Sequence, residues 1–327
     1  MRSARLASSL LLLALVPVAA RSQVAHPDTT LLSAFGWRQV GPANMSGRVS
    51  AVIGNPHNPR EILVGFATGG LWRSVNGGVT WTAVFDHEKV STVSALAMAP
   101  SDTAVVYAGT GEADSRNSIS PGGGVWKSTD AGKTWAFTGL EDTRQIGRIA
   151  VDPTDADVAY VAALGHAWGP NKDRGLYKTT DGGKTWTNVK LISDRAGFVD
   201  VAVDPADHAT VWAASWERQR TAYSLTSGGP GSGLWKSTDA GAHWTRIAGG
   251  GWPATALGRI GIAVAPSSPR TVYAMVEADS NPNTLYATAW ERVRGAYFLT
   301  SGGPGSGLWK STGGNQLSHV QHRMFCL

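Results

Sequence analysis

Three stretches that interrupt apolar segments gather the side chains able to do chemistry. Residues 109–124 carry Glu112, Asp114, Arg116 and Asn117; residues 164–175 carry His166, Trp168, Asn171 and Arg174; residues 216–233 carry Trp216, Glu217, Arg218, Arg220 and Tyr223. Carboxylates beside rings and guanidiniums are what a sugar site needs: acids to move protons or attack the anomeric carbon, and rings to lie against a pyranose. Glu112, Asp114 and Glu217 are therefore the candidate catalytic acids. Arg116, Asn117, His166, Trp168, Asn171, Arg174, Trp216, Arg220 and Tyr223 are candidate ligand-binding side chains. The competing structural reading has Glu112 and Arg116 bracing their own loop while Trp168 and Trp216 fill gaps between neighbouring modules. For any single residue that reading outweighs catalysis, because chemistry belongs to an assembled site.

Other chemistries find less support. The eight histidines show no metal-type pairing such as H-x-x-x-H, and the glycine-rich TSGGPGSG (226–233) lacks the lysine and following helix of a phosphate loop. No Ser-His-Asp set has supporting context. The expectation is a protein with no metal and no cofactor.

The elements that must position these loops announce themselves by repetition. Ser128-Thr-Asp130-Ala-Gly132-Lys-Thr-Trp135, Thr179-Thr-Asp181-Gly-Gly183-Lys-Thr-Trp186 and Ser237-Thr-Asp239-Ala-Gly241-Ala-His-Trp244 share one frame, and Ser74-Val-Asn76-Gly-Gly78-Val-Thr-Trp81 keeps it with Asn for Asp. The closing tryptophans fall 54, 51 and 58 residues apart. The frame reads as a hairpin turn. Its Asp or Asn accepts backbone N–H groups two residues on, its glycine takes the positive φ, and its Trp begins the outgoing strand, burying about 200 Å². Near-interchangeable copies point to a structural staple, with Asn76, Trp81, Asp130, Trp135, Asp181, Trp186, Asp239 and Trp244 as its structural residues.

Around each turn four short strand-like segments recur. In the third unit they are 149–153, 158–163, 175–178 and 186–190, separated by Asp, Pro and Gly. A four-stranded meander repeated every fifty or so residues predicts an all-β fold, a β-propeller of four-stranded blades, here incomplete. In such a blade the first and third turns share one face. The repeated turns then lie on that face, and the three chemistry-bearing loops lie together on the other.

The S/T-x-D-x-G-x-x-W frame resembles the Asp-box, or BNR, repeat of sialidases, xyloglucan-cleaving hydrolases and the sortilin propeller. GPANMSGRV (41–49), GTGEADSRNS (109–118), ALGHAWGPN (163–171) and TSGGPGSG (226–233) resemble a narrower group of secreted bacterial sortilin-like propellers often labelled glycosyl hydrolases. The likeness runs over residues 35–275. It implies a binding module for protein, peptide or glycan on the loop face, or alternatively a glycoside hydrolase acting on an extracellular polysaccharide. Two departures weigh against the enzyme reading. The xyloglucan-cleaving relatives place a catalytic Asp in an R-T-D-I-G-G-A-Y-R stretch of the first blade, where this chain has Phe66-Ala-Thr-Gly-Gly-Leu-Trp-Arg73 and no carboxylate. Sialidases use three arginines and an F-R-I-P stretch. Here Arg48, Arg148 and Arg259 each sit in a Gly-Arg-Val/Ile triplet, but eight, five and seven residues before the next proline, so their convergence is not expected.

Composition sets the outer bounds. The 327 residues carry net charge +5, with 42% hydrophobic and 16% charged residues, an ordinary globular balance. The N-terminus reads as a signal peptide over 1–20, with Arg2 and Arg5, an apolar run from Leu10 to Val18 too short to span a membrane, and Val18-Ala19-Ala20 at the cleavage site. Residues 21–34 read as a linker. The mature chain is expected to be secreted or periplasmic, with no membrane span and no nucleic-acid partner. The single Cys326 makes no internal disulfide. Animal sortilins follow their propeller with a cysteine-rich module, and a receptor role is correspondingly not expected.

Four units and the start of a fifth fill residues 35–275, and the pattern then breaks over 276–312. Residues 290–312 match 216–238 at 20 of 23 positions, and 313–327 read as an aberrant tail resembling no strand of the repeat. The near-copy reads as a recent duplication or an error in assembling the gene, and the tail as a frameshift or truncation after Thr312 or, alternatively, an atypical terminal repeat.

Overall fold

The computed structural model describes residues 47–278 apart from 117, 250, 251 and 270, together with five later strand segments, 285–289, 292–294, 299–301, 307–311 and 318–321. The expected signal peptide, the linker and Asn117 lie outside the described residues.

Four antiparallel meanders follow one another. The first comprises β1 (Val49–Asn55), β2 (Asn58–Phe66), β3 (Leu71–Ser74) and β4 (Thr82–Ala83). The second comprises β5 (Val93–Met98), β6 (Val106–Thr110), β7 (Val125–Ser128) and β8 (Ala136–Gly139). The third comprises β9 (Ile146–Val151), β10 (Ala159–Ala163), β11 (Gly175–Thr179) and β12 (Thr187–Lys190). The fourth runs β13 (Ala196–Val203), β14 (Val211–Arg220), β16 (Gly233–Ser237) and β17 (Thr245–Arg246), with β15 (Leu225–Ser227) paired to the far end of β14. A fifth sheet holds β18 (Leu257–Val264) and β19 (Val272–Ala278). These are the blades of a β-propeller, as the repeat predicts.

Second strands such as Val106–Thr110 and Ala159–Ala163 are buried along their whole length, which is why they read as unbroken runs of small and β-branched residues rather than alternating ones. Blades pack against their neighbours, so the core is divided into layers between them. Leu63, Leu71, Val93, Val106 and Trp126 fill the first interface, and Tyr107, Val125, Ile146, Ile149 and Val161 the second. Tyr160, Leu176, Phe198 and Val211 fill the third, and Leu164, Val199, Trp216, Leu234 and Ile260 the fourth.

The repeated turn has one geometry throughout. The Ser128 hydroxyl accepts from the Gly132 N–H (2.8 Å) and donates to Asp130 Oδ1 (2.7 Å). Asp130 in turn accepts from the Thr134 N–H (2.9 Å) and the Thr134 hydroxyl (2.7 Å). The acid thus reaches four residues along the chain, not two, and encloses the turn. Thr179 with Asp181, and Ser237 with Asp239, repeat the arrangement, as does Ser74 with Asn76. Each box also bonds to the first turn of its own blade: the N–H groups of Gly77, Ala131, Gly182 and Ala240 donate to the carbonyls of Arg60, Ala104, Asp157 and Ala209. First and third turns therefore share a face. The box tryptophans are less buried than their sequence role implies: Trp135, Trp186 and Trp244 are half-buried and Trp81 is exposed.

All five inner strands carry a register shift near their start, between Val49 and Ala51, Val93 and Ala95, Phe198 and Asp200, Leu257 and Ile260, and opposite Ala162 and Ala163 for β9. A bulge re-aims side chains and bends its strand. The side chains at or beside these bulges link neighbouring inner strands. The Ser50 hydroxyl donates to the Val93 carbonyl, that of Ser94 to the Ile146 carbonyl (2.6 Å), and Asp200 Oδ2 accepts from the Ile262 N–H (2.8 Å).

Beyond the fifth sheet, β20 (Leu285–Ala289) pairs with β23 (Gly307–Ser311), β23 with β24 (Ser318–Gln321), and β21 (Arg292–Arg294) with β22 (Leu299–Ser301). Leu285 faces Ser311 as Val211 faces Ser237, and Arg292 faces Ser301 as Arg218 faces Ser227, so the near-copied segment keeps the pairings of β14, β15 and β16. Within the expected aberrant tail, Ser318–Gln321 is a strand all the same, since ladder bonds need only backbone groups.

Candidate functional site

The loop after β6 is fixed by its own backbone. Gly111 has φ 87°, and a Cβ there would stand 1.7 Å from the Arg144 carbonyl oxygen, so only glycine fits. The Gly111 N–H donates to the Thr92 carbonyl (3.2 Å), that of Glu112 to the Ser120 carbonyl (3.0 Å) and that of Gly122 to the Arg144 carbonyl (2.8 Å). Glu112 is thereby held buried, where one carboxylate oxygen pairs with the Arg48 guanidinium from the preceding blade and the other, Oε2, has no partner.

Glu112 opens onto a cavity of about 580 Å³ whose walls are β1, β5 and β9 and whose charged lining is Arg48, Glu112, Asp114, Arg116, Arg148 and Arg259. The arginines that sequence spacing kept apart meet here. Each has an acidic partner: Arg48 has Glu112, Arg259 has Asp114 at 2.5 Å, and Arg148 has Asp200 at 3.6 Å. The Asp200 carboxyl is pushed above the usual range by burial, against the opposing pull of Arg148, the backbone N–H groups of Ile262 and Val201, and Arg259. Among the described residues Arg116 has no ion-pair partner and is exposed.

A second group of guanidiniums stands behind this cavity. Arg218 is 1% exposed; its Nη1 donates to the Ala113 carbonyl (3.3 Å) and the Ser115 hydroxyl (3.0 Å), while Nε and Nη2 have no partner. Burial and the nearby charges of Arg174, Arg259 and Arg220 lower its pKa to about 10, with Asp114 opposing. Trp216, also buried, lies under both Arg218 (5.1 Å) and Arg259 (5.6 Å) and donates its indole N–H to Ser227 Oγ (3.0 Å). Arg174 ties its own loop through the carbonyls of Leu164 (2.7 Å), His166 (3.0 Å) and Gly169 (3.1 Å). Desolvation lowers its pKa to about 10 as well.

The sequence-derived candidates thus divide. Glu112, Asp114 and Arg116 line the cavity, with Arg218 and Trp216 braced against their loop. Glu217 does not join them: its Oε2 accepts from the Gly231 N–H (2.8 Å) and its own N–H donates to neither acid but to Ser232 Oγ (2.8 Å), so it holds the 228–232 turn. His166 and Asn171 belong to the Arg174 loop, the Asn171 N–H donating to the Asp194 carbonyl (2.9 Å). Trp168 is 49% exposed and forms an isolated bridge with Arg220, which joins the second and third loops, and Tyr223 is 99% exposed. Sequence reasoning passed over Arg48, Arg148, Arg259 and Asp200 as site residues. The recurring Gly-Arg-Val/Ile triplet at inner-strand starts was the signal for the arginines.

Comparison with known proteins places this geometry in context. The family described as "Sortilin, neurotensin receptor 3" matches residues 69–191 and 123–252, together more than half of the chain. A xyloglucanase of Hypocrea jecorina is 29% identical over 249 residues, covering 66% of this chain and 28% of that protein. A Paenibacillus xyloglucanase is 28% identical over 270 residues, covering 72% and 24%. The chain therefore spans about a quarter of the length of these relatives. In three dimensions an ancestral GH74 enzyme superposes with a TM-score of 0.55 at 17% identity over 81% of this chain and 38% of that one, a likeness of fold.

Proposed function

The chain belongs to the Sortilin-Vps10 family, and from that premise we propose that it is a glycan-directed propeller of the glycoside hydrolase kind, working outside the cytoplasm on a plant-type polysaccharide. The observation that carries the reading is a cavity of the loop face where two carboxyl groups, Glu112 and Asp114, stand among four arginines. Similarity to two xyloglucanases supports a glycan as the ligand and supports hydrolysis over binding alone. Among the described residues no helix is long and apolar enough to cross a membrane.

Under this reading Glu112 and Asp114 are the catalytic pair. Glu112 has the free oxygen and the burial that suit proton transfer to a leaving sugar, and Asp114, exposed beside Arg259, is the acceptor of a proton from water or the nucleophile. The three inner-strand arginines orient sugar hydroxyls and keep the acids in place. Glu217 has no part in the chemistry.

A second reading rests on the ion pairs. Each candidate acid is already engaged, Glu112 by Arg48, Asp114 by Arg259 and Glu217 by Gly231, which is how a binding site rather than a hydrolytic one holds its carboxylates. Reducing-end release from xyloglucan, measured beside affinity electrophoresis in the same polymer, separates the two. Hydrolysis lost by about 100-fold or more in Glu112→Gln and in Asp114→Asn, but kept in Glu217→Gln, is the expected result. Retarded migration with no release by the unaltered protein establishes binding alone, and neither effect overturns both readings.

A further inference from the structure

The charges of the cavity do not cancel. Of the six charged side chains in its lining four are arginines and two are acids, and even after Asp200 is counted against Arg148 the Arg116 guanidinium stands without a counter-ion among the described residues. Behind the lining, Arg218 is buried with two of its three nitrogens unbonded, and the charges of Arg174, Arg259 and Arg220 act on it with Asp114 opposing. Guanidinium donors taken out of water without acceptors are costly, and an unpaired cation in a cavity wall favours an anion from outside the chain.

We propose that the cavity accepts a carboxylate, and that the sugar unit seated there is a uronic acid of an acidic polysaccharide. A planar carboxylate meets the fork of a guanidinium through two parallel hydrogen bonds, which makes it a better match than a neutral hydroxyl for a site built from arginines. Arg116 is the first contact, since it alone among the lining arginines has no acid to leave. Arg259 follows by sharing Asp114 with the ligand. A cavity of about 580 Å³ is of the size that ligand sites use. The exposed rings of Trp168 and Tyr223 lie in the loops of the same face and offer flat apolar surfaces to neighbouring sugars, which favours a glycan chain over an acidic peptide.

The inference rests on the glycan reading above and is separable from it. Calorimetric titration of the whole chain with hexagalacturonate and with a neutral xyloglucan oligosaccharide of similar length tests both. The expected result is binding of the uronate about tenfold tighter than the neutral sugar, weakening steeply from low salt to 0.5 M. Arg116→Gln, whose side chain bonds to nothing among the described residues, removes that preference and leaves the melting midpoint unchanged. Equal affinity for the two sugars, or a preference that survives in both Arg116→Gln and Arg259→Gln, overturns the uronate assignment while the glycan reading stands. Failure to bind either sugar overturns both.

Discussion

Asp130 stands at the tightest point of its turn, where one carboxylate accepts the N–H groups of Lys133 and Thr134 and the hydroxyls of Ser128 and Thr134. Although desolvation alone would raise it, these bonds, led by the Thr134 N–H and hydroxyl, bring its pKa down to about 2. Asp181 falls to about 2 through its bonds to Thr185 and Thr179, and Asp239 lies lower still through His243 and Ser237. A depressed carboxyl contributes stability that is complete above the unfolded value near 3.9 and is lost as pH falls through the folded value. The melting midpoint is therefore expected to be flat above pH 5 and to drop between about pH 4 and pH 2. Asp130→Ala should cost about 1 kcal/mol at neutral pH, the low end for a charged hydrogen-bond acceptor because solvent screens it, and should make that acid drop smaller. Asn76 occupies the same place in the first blade without an ionisable group, so the first box contributes nothing to the slope. Calorimetric scans of the two proteins across this range check both statements.

At the scale of the loop, Gly111 shows how the site is held. Its φ of 87° and the Arg144 carbonyl against it leave no room for a methyl group. Gly111→Ala is expected to cost more than about 3 kcal/mol and to release Glu112 from Arg48, read as a lowered melting midpoint together with lost polysaccharide binding. Local elements of this kind were legible in the sequence to different degrees. The four-strand rhythm and the shared face of the boxes follow from short-range spacing, and 149–153, 158–163, 175–178 and 186–190 became β9 to β12 with shifts of a few residues. The meeting of Arg48, Arg148 and Arg259 was hidden because distance to the next proline measures where a strand ends. What aims an arginine is the bulge at the strand's start, and a bulge leaves no composition signal. The engagement of Glu217 was hidden for a related reason: its partner is the N–H of Gly231, fourteen residues away in a glycine-rich turn whose residue types carry no sign of that bond.

For the molecule as a whole, stability is a chain of blade-to-blade interfaces, each contributed by residues of two neighbours. Ile260, fully buried, belongs to the layer that also holds Trp216 and Leu234 of the fourth blade. Ile260→Ala should cost about 2–5 kcal/mol in denaturant unfolding, and because Trp216 shares that layer its fluorescence should redden before the far-ultraviolet signal is lost. Among the described strands the fifth sheet holds β18 and β19, where the four before it hold at least four each. Among the described strands β19 pairs with β18 alone, while Tyr273 and Met275 along it are exposed. Half of that strand's amides and carbonyls therefore have no ladder partner among the described strands. Such a margin is matched through the peptide group, where the interfaces between blades are matched through side chains.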